Sequence, residues 1–319
     1  MLDSYGRNIN YLRISVTDRC NLRCIYCMPQ EGVKSLNHED ILRFEDILKI
    51  VKISAALGIN KIRYTGGEPL VRKDIDKLIY ETSKIPQVKD ISITTNGILL
   101  ADMAEELKKA GLNRVNISLD TLSGDKFRNI TRVGNLDKVM ESIYKCLAIG
   151  LKPVKINTVL MRGINDTEFN DFLNLIRELP VEIRFIELMP IGEGTNMYEK
   201  NKLGFTQILG QHPELTQIQT KKSSTAEIYT LKGAKGKIGF ISPVSNKFCS
   251  DCNKIRLTSI GTIKPCLHSK EEINLREYLN DEVRLTAALK DAILNKPFEH
   301  HLQEENNSRS IKGMSQIGG

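Results

Sequence analysis

Six short aliphatic segments, each closed by turn residues, alternate with amphipathic stretches from Leu12 to Pro190. The segments are Leu12–Asp18, Lys61–Gly67, Asp90–Gly97, Arg114–Asp120, Val154–Gly163 and Glu182–Pro190, and their β-branched content reads as strands. Between them lie Glu39–Leu57, Asp74–Lys84, Ala101–Ala110, Leu136–Ile149 and Thr167–Leu179, which read as helices. Three of these run directly into Gly58, Gly111 or Gly150, a common way for a helix to stop. Successive strands begin 24 to 49 residues apart, enough for a crossover helix and a parallel partner. A repeated βα unit gives a parallel sheet, either doubly wound or rolled into a barrel.

The strand faces choose between these. Side chains alternate across a strand, so Arg13, Ser15 and Thr17 share one face opposite Leu12, Ile14 and Val16. Arg63 with Thr65, Ser92 with Thr94 and Asn96, Asn116 with Ser118 and Asp120, and Lys155 with Asn157 repeat the pattern. A closed eight-stranded barrel fills its inside with Val, Ile and Leu. Here one face of five strands is polar, and only the sixth, with Arg184 opposite Glu187 and Met189, fits poorly. The expected fold is α/β, an open, partial (βα)6 TIM-type barrel with a polar lumen. After about residue 200 the rhythm stops. Glu227–Lys232 and Lys237–Ser242 read as a hairpin, and helix is expected from about Glu271 to Leu294. The chain thus divides into a barrel core, 1–200, and a C-terminal α+β extension, 201–319, whose last segment from Asn306 is polar and irregular.

Apolar residues at 40% and charged residues at 27% are ordinary globular composition, which excludes a fibre or a disordered tail. No run approaches the roughly 18 apolar residues of a membrane span, and the N-terminus has no secretory apolar core, so a soluble, cytoplasmic protein is expected. The net charge of +7 comes from 46 basic and 39 acidic residues without a block of one sign. It favours an anionic partner, a nucleic acid or a small phosphate-bearing substrate.

The seven cysteines fall into two triplets and a single. An odd number with close spacing argues for metal or catalysis over disulfides. Cys20, Cys24 and Cys27 offer three thiolates just after the first strand. A zinc site usually has four ligands, so three suggest an iron–sulfur cube with one iron open; zinc with a distant fourth ligand, or buried cysteines, are the alternatives. Cys249, Cys252 and Cys266 repeat the argument, with zinc completed by His268 as the main rival. Cys146 lies on a helix face with Val139 and Ile143 and reads as core packing.

The pattern CxxxCxxC with an aromatic residue, Tyr26, before the last cysteine resembles the radical S-adenosylmethionine superfamily. So does Gly66-Gly67-Glu68-Pro69 after the second strand. There the glycines would let backbone approach the methionine moiety, and the carboxylate could meet its ammonium group. With RYTGGEPLVR, ITTNG, NISLD, RFIELMP, CSDCNKIRLT and a terminal Gly318-Gly319, the chain resembles the GTP 3′,8-cyclase family of molybdenum-cofactor biosynthesis over nearly its whole length.

The resemblance implies a lyase with two [4Fe–4S] clusters and S-adenosyl-L-methionine. Cys20, Cys24 and Cys27 would hold the first cluster, and Cys249, Cys252 and Cys266 the second. Tyr26, Gly67, Ser118 and Met189 would contact S-adenosylmethionine. Arg13, Arg63, Thr94, Lys155, Lys254, Ile255 and Arg256 would contact GTP. Lysine at 254 stands where arginine is common in the family, which loses the planar two-pronged donor. The diglycine end would reach into the substrate cavity. No catalytic side chain is assigned. The implied partners are GTP, an electron donor such as a flavodoxin or ferredoxin, and the next enzyme, which makes cyclic pyranopterin monophosphate; a homodimer is allowed, and no membrane or nucleic acid is implied. The rival readings are another twin-cluster radical enzyme modifying a peptide or RNA, and a zinc-containing nucleic-acid-binding protein.

Overall fold

The computed structural model describes residues 1–34, 36–220, 223–302, 308, 310 and 312–317. The six expected strands form as β1 (Tyr11–Ser15), β2 (Lys61–Thr65), β3 (Asp90–Thr95), β4 (Arg114–Ser118), β5 (Val154–Leu160) and β6 (Glu182–Glu187). They pair in parallel, in chain order. The crossovers are α1 (Phe44–Ala56), α2 (Ile75–Ser83), α3 (Leu100–Lys109), α4 (Gly124–Thr131), α5 (Leu136–Ala148) and α6 (Phe169–Glu178). Of these α4 was not expected. Only Phe127, Ile130 and Thr131 of it are buried, too few for a clear periodicity, although Ser123 caps it by accepting from the Lys126 amide.

The C-terminal region adds α7 (Glu193–Asn201), α8 (Thr206–Gln211), β7 (Leu215–Ile218), β8 (Glu227–Leu231), β9 (Lys237–Ile241), β10 (Lys254–Leu257), β11 (Thr262–Lys264), β12 (Ile273–Asn274) and α9 (Glu282–Leu294). The hairpin is there as β8 and β9. β9 lies parallel to β6 and β10 parallel to β1, so the region extends both edges of one twelve-stranded sheet. Helix does not begin at Glu271. Ile273 and Asn274 instead pair with Ile263 and Thr262, and the helix starts later, where Asp281 caps it through the Arg284 amide. Among the described residues no helix is long and apolar enough to cross a membrane.

The outer face of the sheet is apolar. Leu12, Ile14, Ile62, Ile93, Val115, Ile156, Ile183, Ile238, Ile255 and Leu257 are all fully buried under the helices. The sixth strand also conforms. Glu182, Arg184 and Ile186 turn to the lumen, while Glu187 lies on the other face and accepts from the Val244 and Ser245 amides at 3.0 Å. Phe185 joins barrel to extension, with ring centroids 5.0 Å from Phe169 and 5.4 Å from Phe172 on α6, and 5.8 Å from Phe240 on β9. Phe185→Ala should lower unfolding stability by about 3–5 kcal/mol, the usual result of emptying an aromatic core site, measured by denaturant titration.

Candidate active site

The concave face of the sheet encloses a cavity of ≈ 780 Å³. Both cysteine triplets reach its wall. The first follows the C-terminal end of β1. The second stands at the opposite end, because the Asn253 carbonyl, next to Cys252, accepts from the Asn10 and Tyr11 amides where β1 begins. β11 runs antiparallel to β10 and brings Cys266 back to that same end. Five residues of strand, roughly 17 Å at the usual rise, lie between the two ends.

The Cys20–Cys27 loop is held from outside by the end of α4. The Thr131 and Ile130 carbonyls accept from the Arg23 and Ile25 amides, both at 3.0 Å. Arg132 donates to the Arg23 and Met28 carbonyls, also at 3.0 Å, and so ties the two ends of the loop. Asn96 Nδ2 meets Asn21 at 2.7 Å and the Cys20 sulfur at 3.9 Å. The Tyr26 hydroxyl donates to Asp120 at 2.7 Å. Burial raises all three thiols, Cys27 to about 12 and Cys24 strongly, and burial likewise raises Asp120 to about 6.

The GGEP turn packs directly on this loop. A Cβ on Gly67 would sit 2.4 Å from the Arg19 carbonyl oxygen, and one on Gly66 the same distance from that of Thr17. The glycines therefore admit the protein's own backbone, whatever ligand approaches on the other side. Glu68, lifted by burial to about 7, accepts from the Leu70 and Asn96 amides and from Thr95. Its carboxylate braces the turn from the cavity wall.

Two buried cations build the second triplet. Arg7 pairs with Asp3 and donates to the carbonyls of Cys249, Lys296, Pro297 and Phe298. Lys296 donates to the Lys254 and Pro265 carbonyls at 2.9 and 2.7 Å, drawing together the segments that carry Cys252 and Cys266. Burial would raise the Cys252 thiol, but Lys296 and Lys254 bring it below the ordinary range. His268 lies on the wall, its Nδ1 3.3 Å from Ser308 and its ring against His300. Among the described residues no three His, Cys, Asp or Glu converge closely enough for one metal ion.

Between the ends, ten lysines and arginines line the wall against three carboxylates, Glu68, Asp120 and Glu182. Arg13, Arg63, Thr94, Ser118, Lys155, Met189, Lys254 and Arg256 are brought together there with Tyr26 and Gly67. Ile255 is not: its side chain lies in the core on the other face, leaving only its backbone near the lumen. Sequence reasoning passed over Tyr11, Lys61, Arg114, Glu182 and Lys296; Arg114 and Glu182 open strands at lumen-facing positions, which alternation alone could have found. Arg63 Nε donates to Ser92 at 3.2 Å, and Asn116, with its amide oxygen turned inward, takes the Arg63 terminal nitrogens at 2.7 and 3.1 Å. Glu182 bonds both Lys155, at 3.0 Å, and Arg184, at 2.5 Å. Burial, then Arg184, lowers Lys155 to about 8. Burial also holds Arg13 and Arg63 below the usual arginine range. Thr94 Oγ1 and Asn157 Oδ1 are buried on this wall with no hydrogen-bond partner. Buried polar atoms are normally paired, so the arrangement suits a polyanion with several acceptors and donors.

Residues 14–176 match the Radical SAM superfamily, and residues 181–302 match Molybdenum Cofactor Synthesis C. Proteins named GTP 3′,8-cyclase from Clostridium botulinum and Clostridium acetobutylicum are 59% and 60% identical, with all of each chain covered. The chain belongs to the GTP 3′,8-cyclase family. A more distant member, from Alkaliphilus oremlandii, is 50% identical over full length. Streptococcus suis SuiB bound to S-adenosylmethionine shares the fold, with a TM-score of 0.62 at 16% identity over 93% of this chain and 68% of that one. Membership of the radical SAM superfamily implies one [4Fe–4S] cluster and S-adenosylmethionine, and the first cysteine loop fits both demands: three thiols on one cavity wall beside a backbone turn.

The Gly67 contacts give a direct test. Gly67→Ala should force the turn away from Arg19, reducing iron bound per chain and lowering the Tm; full iron loading in the variant would show that the turn can shift at little cost.

Proposed function

We propose that the chain converts GTP to (8S)-3′,8-cyclo-7,8-dihydroguanosine 5′-triphosphate, the first step of molybdenum-cofactor biosynthesis. One observation carries this reading. A single cavity has a cysteine triplet at each end and an excess of cations between them, room for a radical source, a nucleotide and its phosphates in one line. The relatives named for this reaction match over their full length.

In this reading Cys20, Cys24 and Cys27 hold the first [4Fe–4S] cluster. Tyr26, Gly67, Ser118 and Met189 hold S-adenosylmethionine. When bound, the cluster supplies the electron that cleaves the sulfonium and yields a 5′-deoxyadenosyl radical. Cys249, Cys252 and Cys266 hold a second cluster beside the guanine. Arg13, Arg63, Thr94, Lys155, Lys254 and Arg256, with the Ile255 backbone, bind and orient GTP so that ribose C3′ and purine C8 are held to bond. Cations that are costly when buried alone are matched by phosphate, and fixing the two carbons in one geometry removes much of the entropic barrier. Residues 1–200 act as the radical core and 201–319 as the substrate region. The electron donor is a flavodoxin or ferredoxin, the product passes to an enzyme forming cyclic pyranopterin monophosphate, and the enzyme works in the cytoplasm.

The test is anaerobic incubation with GTP, S-adenosylmethionine and a reductant. The reconstituted protein should hold about eight irons and form 5′-deoxyadenosine only when GTP is present. Cys24→Ala should lose one cluster and all cleavage of S-adenosylmethionine. Cys252→Ala should keep the first cluster yet bind GTP poorly and make no cyclised nucleotide. Cyclisation by the Cys252 variant would reduce the second triplet to a structural role, and GTP-independent cleavage would overturn the substrate.

The chain end supports the same reading. Gly318-Gly319 lies outside the described residues, but Met314 and Ser315 line the cavity and Arg256 donates to the Ile317 carbonyl at 3.4 Å. Deleting both glycines should leave iron content unchanged and suppress cyclisation strongly; wild-type turnover by the truncated enzyme would make the tail dispensable.

A further inference from the structure

Tyr11 opens β1 at the end of the cavity nearest the second triplet, and no motif assigns it a task. Its ring underlies two cations, with the Arg63 guanidinium carbon 5.4 Å and Lys254 Nζ 5.8 Å from the centroid. Register sets it beside Lys61 of β2 and Lys254 of β10. The residue is 7% exposed and lines the cavity. Its hydroxyl is buried with Ser92 and Arg114 in reach, yet it makes no well-aligned hydrogen bond to either. A buried tyrosine hydroxyl normally finds a partner.

A neutral aromatic ring has a particular use at this place. It attracts cations through its face without neutralising them. Glu182, by contrast, occupies Lys155 and Arg184 through full ion pairs that an incoming anion must compete with. The Tyr11 ring keeps Arg63 and Lys254 in position and leaves their charge for a ligand. Burial would raise the phenol, but Arg63, Arg13 and Arg114 bring it down to about 8. At neutral pH it remains protonated and is a stronger donor than a free tyrosine.

Resting on the reading of the cavity as a GTP site, we propose that Tyr11 is a substrate-binding residue whose hydroxyl donates to a phosphate oxygen of the triphosphate, while its ring supports the two cations that bind the same group. Thr94 and Asn157 present their own unpartnered atoms to the same lumen, so Tyr11 completes a set of groups that one ligand would satisfy.

The experiment compares anaerobically reconstituted wild type, Tyr11→Phe, Tyr11→Ala and Arg63→Ala by equilibrium dialysis with GTP, guanosine and S-adenosylmethionine. Loss of a hydrogen bond to a charged group should weaken GTP binding about tenfold in Tyr11→Phe, with KM carrying the change more than kcat. Guanosine and S-adenosylmethionine should bind as in wild type. Tyr11→Ala should lose more, because the ring support goes as well. GTP binding by Tyr11→Phe at wild-type strength, beside a loss in Arg63→Ala, would overturn the role of Tyr11 alone. No loss in Arg63→Ala either would overturn the reading of the cavity. Equal weakening for guanosine and GTP would place the hydroxyl on the nucleoside and refute the phosphate contact.

Discussion

Strand β1 is hydrogen-bonded in parallel on both sides, to β2 and to β10, and each of its ends carries one cysteine triplet. The β1–β10 register decides what the lumen contains. Arg13 pairs with Arg256 and Leu12 with Ile255, so cations face inward and aliphatic side chains outward. A slip of one residue would exchange the faces, burying Lys254 and Arg256 under helices and exposing Ile255 and Leu257 to the lumen. The positions of both cysteine-bearing loops and the sign of the field between them thus follow from one strand pairing. Arg7 and Lys296 reinforce it from below by tying the second triplet to the segment after α9.

The lumen itself works against stability. Ten cations facing three carboxylates raise the energy of the folded chain, and the protein tempers this without cancelling it. Asp90 takes Arg114, Glu182 takes Lys155 and Arg184, and Asn116 and Ser92 bond Arg63 as neutral acceptors. The charge left over is what a polyphosphate can use. A site that is costly when empty and satisfied when full is the usual signature of function placed above stability.

Much of this was legible in the sequence because strand alternation is a local signal. Arg13, Arg63, Thr94, Asn116 and Lys155 declare their common face within a few residues each, and the helix stops at Gly58, Gly111 and Gly150 carry their own left-handed backbone, with φ of +96, +105 and +69°. What was not legible depends on distant partners. The four residues Lys254–Leu257 are a strand because β1 and β11 flank them. Ile273 is β rather than helical because Ile263 pairs with it. Arg132 and Lys296 act on carbonyls far away in the chain, and no spacing rule marks them. Glu68 was readable as a motif residue, but its bracing of the turn depends on Thr95 and Asn96, brought up by β3.

The pairing of β1 with β10 also sets an order of events during synthesis. Asn10 and Asn253, which bond across the start of that pairing, are 243 residues apart. β1 is made first, yet one of its edges has no neighbour until nearly four-fifths of the chain has emerged. Contacts so remote in sequence form late and slowly, and an open strand edge is a template for the wrong partner. The nascent barrel therefore spends most of its synthesis with its first strand half covered, so the enzyme is most exposed to aggregation at the strand on which its finished chemistry depends.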